Sequence, residues 1–111
     1  MQKDLHTSLL LDFYGSFLTD KQRDYMELYL NSDYSLGEIA QHFDVSRQAV
    51  RDGLIRAQTQ LASIEEKLGL MSRYYAQKKL LKELLDSANE PEKIRDYVDM
   101  INAIWEDDHG F

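Results

Sequence analysis

The chain contains no cysteine, a single proline and five glycines among its 111 residues. Without thiols it can form neither disulfides nor thiolate zinc sites, and it has no cysteine nucleophile; this fits a reducing cytoplasm. Long apolar runs are also missing. The longest, such as Leu9 to Leu11, are three residues, against roughly 18 needed to cross a bilayer. The first residues lack the basic-then-apolar pattern of a leader, so a soluble, cytoplasmic protein with no membrane association is expected. Scarce proline and glycine, few β-branched runs and an abundance of Leu, Gln, Glu, Lys and Ala favour an all-α chain.

Basic charge is scarce too: the formal net charge is −7. A polyanion is repelled by such a chain unless its charges are segregated, and they are. Residues 1–82 carry 11 Lys/Arg and 11 Asp/Glu, whereas residues 83–111 carry 2 and 9, so the entire excess of acid lies in the last quarter. A locally positive face further upstream remains available, with the acidic tail a candidate shield for it or mimic of its ligand.

The most informative stretch is Ser35 to Arg51. Ser35 followed by Glu38 is a capping box, in which hydroxyl and carboxylate each accept from the other residue's backbone N–H. Ile39, Ala40 and Phe43 give the helix an inward face, Ala40 being small enough for a second helix to cross closely. Asp44-Val45 makes the corner. Ser46 caps a second helix, so that Arg47, Gln48 and Arg51 project from its first turns, where a recognition helix meets base edges. Thr19 and Gln22 form another capping box, opening a helix with Tyr25, Met26, Leu28, Tyr29 and Leu30 on its buried side. Three capped helices in succession predict the trihelical form of a helix-turn-helix domain.

Upstream, Leu5, Leu9, Leu10 and Phe13 predict a helix ended by Gly15-Ser16, with Phe17 and Leu18 as anchors. Downstream, Val50, Leu54, Ala57, Leu61, Ile64 and Leu68 step by four and three until Gly69, a heptad seam. Its part from Ala57 to Leu68 needs another apolar partner, either the C-terminal helices or a second subunit. Ser72 to Leu85 predicts a helix with Tyr75, Leu81, Leu84 and Leu85 inward. Pro91 suits the first turn of a last helix carrying Ile94, Tyr97, Val98, Ile101 and Trp105. The expected organisation is an N-terminal helix (1–18), a helix-turn-helix domain with an extended third helix (19–70) and a C-terminal helical segment with an acidic tail (71–111).

The runs Leu18-Thr19-Asp20-Lys21-Gln22-Arg23, Tyr34 to Ala40 and Val45 to Arg51 resemble region four of bacterial sigma factors, over about a third of the chain. The extended third helix, two further helices and acidic tail more closely resemble the small YlxM family, whose members are encoded beside the signal recognition particle genes. That resemblance implies a sigma-region-four-like fold and a regulatory role in protein targeting. It also implies that Arg47, Gln48 and Arg51 occupy DNA-touching positions, and that Ser46 caps the helix whose N–H groups meet a phosphate. Two positions depart from the region-four pattern: Asp52 places a carboxylate in the would-be groove segment, and Gly53 sits inside a helix, where it costs roughly 1 kcal/mol relative to alanine.

For Arg47, Gln48 and Arg51 the functional reading is contact with bases or phosphates, and the bland one a solvated helix face. Lys21 and Arg23 are candidate phosphate clamps, or a salt-bridged surface among Asp20, Asp24 and Glu27. Arg73, Lys78, Lys79 and Lys82, beside Tyr74 and Tyr75, form a second basic surface suited to unpaired RNA, unless the tyrosines are core and the lysines pair with the tail. Catalysis has little support. His6, His42 and His109 have no metal-ligand spacing, Asp107-Asp108-His109 is at most a weak cation trap, and there is no phosphate loop or nucleophile elbow. No metal or cofactor is expected. The sequence thus predicts a non-catalytic, dimeric regulator that binds DNA or RNA, with a protein-only adaptor docking on a signal recognition particle component as the alternative.

Overall fold

The computed structural model describes residues 4–106. Six helices follow one another: α1 (Leu5–Tyr14), α2 (Asp20–Leu30), α3 (Leu36–Phe43), α4 (Arg47–Leu68), α5 (Leu70–Asp86) and α6 (Pro91–Trp105), with a 3₁₀ turn at Gly15–Phe17. The described residues contain no strand, so the chain is all-α as its composition predicts. They fall into two compact units, one ending at Leu68 and one beginning at Gly69. None of the described helices is long and apolar enough to cross a membrane.

In the first unit α4 is the spine against which α1, α2 and α3 pack. Both capping boxes form as the sequence predicts. The Thr19 hydroxyl accepts from the Gln22 N–H at 3.2 Å while Gln22 Oε1 accepts from the Thr19 N–H at 3.1 Å; the Ser35–Glu38 distances are 3.0 and 3.1 Å. The corner between α3 and α4 turns on Asp44, whose φ of 54° is left-handed, and the Val45 N–H returns to the Ala40 carbonyl at 3.0 Å. A carboxylate side chain tolerates this conformation better than most, so the turn needs no glycine.

From Val50 to Leu61 the heptad seam of α4 is satisfied within the chain, by an element not among the partners considered from sequence. Val50, Leu54, Ala57 and Leu61 are all buried, and α1 supplies buried Leu10, Leu11 and Tyr14. The Tyr14 hydroxyl donates to Glu65, and Gln60 Nε2 donates to the Phe17 carbonyl at 3.2 Å, tying α1 and its following turn to the outer half of α4. Beyond Leu61 burial fades, and Leu68 is exposed. Of the two expected anchors, Leu18 is buried but Phe17 is 61% exposed, because the 3₁₀ turn contributes its backbone carbonyl to the contact rather than its ring.

In the second unit α5 and α6 pack on each other. The Trp105 indole donates to Gln77 Oε1 at 2.6 Å, which marks the face of α5 turned toward α6. Leu80 and Leu84, three and seven residues further on, share that face and are half-buried. The expectation that Leu81 and Leu85 point inward is corrected: both are exposed, since each is rotated off the Gln77 stripe. Pro91 occupies the first turn of α6 as expected.

Candidate nucleic-acid interface

The first two turns of α4 carry the predicted residues, and Ser46, Arg47, Gln48 and Arg51 are all exposed. Ser46 Oγ accepts from the Ala49 N–H at 3.0 Å, which fixes where the helix starts and leaves other first-turn N–H groups pointing outward. The positive end of the helix dipole and two guanidinium groups therefore coincide. Among the described residues no ion pair joins Arg47 or Arg51 to a carboxylate. Replacing Ser46 with alanine is expected to cost about 1 kcal/mol in thermal or urea unfolding by loss of the cap, with the rest of the fold retained.

Arg47 does not extend freely. Its guanidinium folds back over the first turn of α3, and a Cβ at Gly37 would lie 3.1 Å from its Nε. Glycine at this position gives the guanidinium its resting place. Gln48 is also engaged: its amide Nε2 donates to Asp52 Oδ1 at 2.8 Å one turn along α4. The carboxylate that departs from the region-four pattern thus already holds the amide that would otherwise be offered outward.

The second departure, Gly53, has a packing reason that was not legible locally. A Cβ there would sit 3.0 Å from Cδ2 and Cε2 of Tyr25, whose buried ring packs edge-on to Phe43 at 5.1 Å between centroids. Glycine suits this position because any side chain would press on the Tyr25 ring of α2 and require it to shift by a few tenths of an ångström. Gly53→Ala is therefore expected to destabilise, overpacking (about 1–3 kcal/mol) outweighing the roughly 1 kcal/mol gained in helix propensity. A midpoint unchanged or raised in urea would show that Tyr25 can yield.

Lys21 and Arg23 diverge. Lys21 is exposed, its Nζ 5.8 Å from the centroid of the Tyr25 ring, and it lines a cleft of about 450 Å³ between the start of α2 and the middle of α4. Thr19, Ala49, Asp52 and Arg56 border the same cleft. Arg56 is a basic residue that sequence reasoning did not select; its spacing of five from Arg51 hides the fact that α4 turns it toward Lys21. Arg23 instead pairs with Asp20 at 3.2 Å, the salt-bridged alternative.

In the second unit Lys78, Lys79 and Lys82 line an open hollow with Tyr75, Leu81 and Leu85. Arg73 does not border it, its guanidinium lying near Gly69. Tyr74 and Tyr75 meet edge to face at 5.1 Å, and Tyr74 is exposed while Tyr75 is half-buried. No group of metal-ligating side chains occurs among the described residues; Asp107, Asp108 and His109 lie outside them.

The family described as "Putative helix-turn-helix protein, YlxM / p13 like" matches residues 1–101. The UPF0122 protein YlxM of Bacillus subtilis is 40% identical over 107 residues, covering 94% of this chain and 97% of the relative. A UPF0122 protein of Bacillus velezensis is 41% identical over the same length, and one from Acetivibrio thermocellus is 49% identical over 85 residues, 77% of this chain and 73% of the relative.

Proposed function

Because the chain belongs to the YlxM/p13-like family of helix-turn-helix proteins, we propose that it is a non-catalytic, cytoplasmic regulator that binds nucleic acid through the start of α4. Arg47 and Arg51 meet bases or phosphates, the Ser46 end of the helix meets a phosphate, and Lys21 contacts the flanking backbone. The observation that carries this reading is that both arginines stand exposed at a helix N-terminus with no carboxylate partner among the described residues. Gln48 contributes only when it leaves Asp52, and Arg23 stays with Asp20. The genomic association of the YlxM family supports a place in the signal recognition particle pathway, and a homodimer would present two such helices to paired half-sites.

The test is direct binding of fluorescent duplex DNA and structured RNA over a range of salt. Log affinity is expected to fall linearly with log salt, as phosphate contacts require. The net charge of −7 favours a second reading, a protein-only adaptor; binding of neither polymer even at low salt would select it.

A further inference from the structure

Arg56 belongs neither to the cap nor to the first turns of α4, yet it is one of two cations that border the cleft of about 450 Å³ between α2 and α4. Lys21, the other, comes from the first turn of α2, and its Nζ lies 5.8 Å from the centroid of the Tyr25 ring, which also lines the cleft. Both cations are exposed, and among the described residues neither forms an ion pair. The lining holds one carboxylate, that of Asp52, which is turned to the Gln48 amide at 2.8 Å, so the cleft keeps a net positive charge. Asp20, next to Lys21 in sequence, is spent on Arg23. The positive end of the α2 dipole adds to the same place, since Thr19 caps that helix at the border of the cleft.

Helical geometry relates this cleft to the rest of the interface. At 3.6 residues per turn, Arg56 stands about 180° round α4 from Arg47 and about 140° from Arg51. The tertiary contacts agree: the Arg47 guanidinium rests on α3 at Gly37, whereas Arg56 borders α2. Between these two rims, Gln48 and Asp52 occupy the face of α4 opposite the buried Val50, Leu54, Ala57 and Leu61. A helix with its side chains is about 10–12 Å across, and the major groove of B-DNA is about 12 Å wide with a phosphate backbone along each wall. A helix seated there by its outer face presents one rim to each strand.

We propose that the α2–α4 cleft is a phosphate seat, in which Lys21 and Arg56 together hold a backbone phosphate of the strand across the groove from the one met at Arg47. The inference rests on nucleic-acid binding by α4, proposed above. It adds Arg56 as a contact residue and makes the ligand a duplex gripped on both walls. That duplex is DNA, because the deep, narrow major groove of A-form RNA does not admit such side chains. The contacts are charge-assisted and carry no base information, so they set affinity and register.

The experiment measures binding of a fluorescent DNA duplex by the full chain across a range of salt, for the wild type, Lys21→Ala, Arg56→Ala, Arg56→Lys and Lys67→Ala. Lys21→Ala and Arg56→Ala should each weaken binding about eightfold at 0.1 M salt, alike for duplexes of different sequence, and make the slope of log affinity against log salt shallower by about 0.9. Arg56→Lys keeps the charge and should keep the slope. Lys67→Ala removes a positive charge about three turns further along α4 and should leave the slope unchanged. A wild type that binds no duplex at low salt overturns the nucleic-acid reading and the seat together. Binding that Arg56→Ala leaves at full strength and slope overturns the seat alone, as does an equal loss in Lys67→Ala or a loss confined to one sequence. Calorimetric titration of the wild type with inorganic phosphate and with adenosine monophosphate separates the two sources of phosphate, and neither is expected to saturate the protein at micromolar concentration. Saturation that Arg56→Ala abolishes overturns the DNA assignment in favour of a small phosphorylated ligand.

Discussion

Replacing Arg47 and Arg51 together by alanine is expected to weaken nucleic-acid binding by about 30-fold or more, since each well-placed arginine contact is worth roughly 1–3 kcal/mol. The way the loss distributes over conditions identifies what the side chains touch. If both meet phosphates, the slope of log affinity against log salt becomes shallower by about 1.8 and all sequences lose alike. If they read base edges, the preferred sequence loses most and the slope changes less. Arg23→Ala is the internal control: its guanidinium is already matched to Asp20, so its removal should move affinity little. Equal binding by the double variant and the wild type would strip α4 of its assigned role. Both arginines are exposed, and Arg47 also rests on Gly37 of α3, so the melting curve is the control: loss of binding with that curve unchanged could not be attributed to unfolding.

Leu61→Ala is expected to cost about 2–5 kcal/mol, a large fraction of the 5–15 kcal/mol that holds a typical domain together. Leu61 is fully buried, in the half of α4 that α1 covers, so truncation leaves a cavity that rigid helices on either side cannot fill. Leu68 occupies an equivalent step of the same seam but is 40% exposed, and Leu68→Ala should cost under about 1 kcal/mol. Urea titrations of the full chain followed by circular dichroism compare the two. Similar costs at both positions would mean that the seam is covered along its whole length, as a second copy on α4 would require.

The contrast between these leucines shows where local reading stops. Helix starts were legible because their causes are local: Thr19 with Gln22 and Ser35 with Glu38 satisfy backbone donors within four residues, and Ser46 does the same for α4. The heptad steps were equally legible, but a seam states only that something apolar must cover it. That α1 would do so for Val50 to Leu61 depended on chain folding over some fifty residues, of which the link between Tyr14 and Glu65 is the visible trace.

The candidate interface divides in the same way. Arg47, Gln48 and Arg51 follow from the cap and the helical repeat, so their exposure was predictable from spacing. Their engagements were not. Gly37 lies ten residues before the guanidinium it accommodates, Arg56 borders the same cleft as Lys21, and Gly53 is explained only by a tyrosine on another helix. Sequence by itself determined the number of helices, the starting points of α2, α3 and α4 and the side chains offered at the head of α4, because hydrogen bonds and periodicity along one helix settle these; α5 begins at Leu70 rather than at the expected Ser72. Tertiary structure decided which apolar stripe of α4 is consumed, that Arg23 is paired with Asp20, and which face of α5 turns toward α6, because each depends on what another segment brings to the same place.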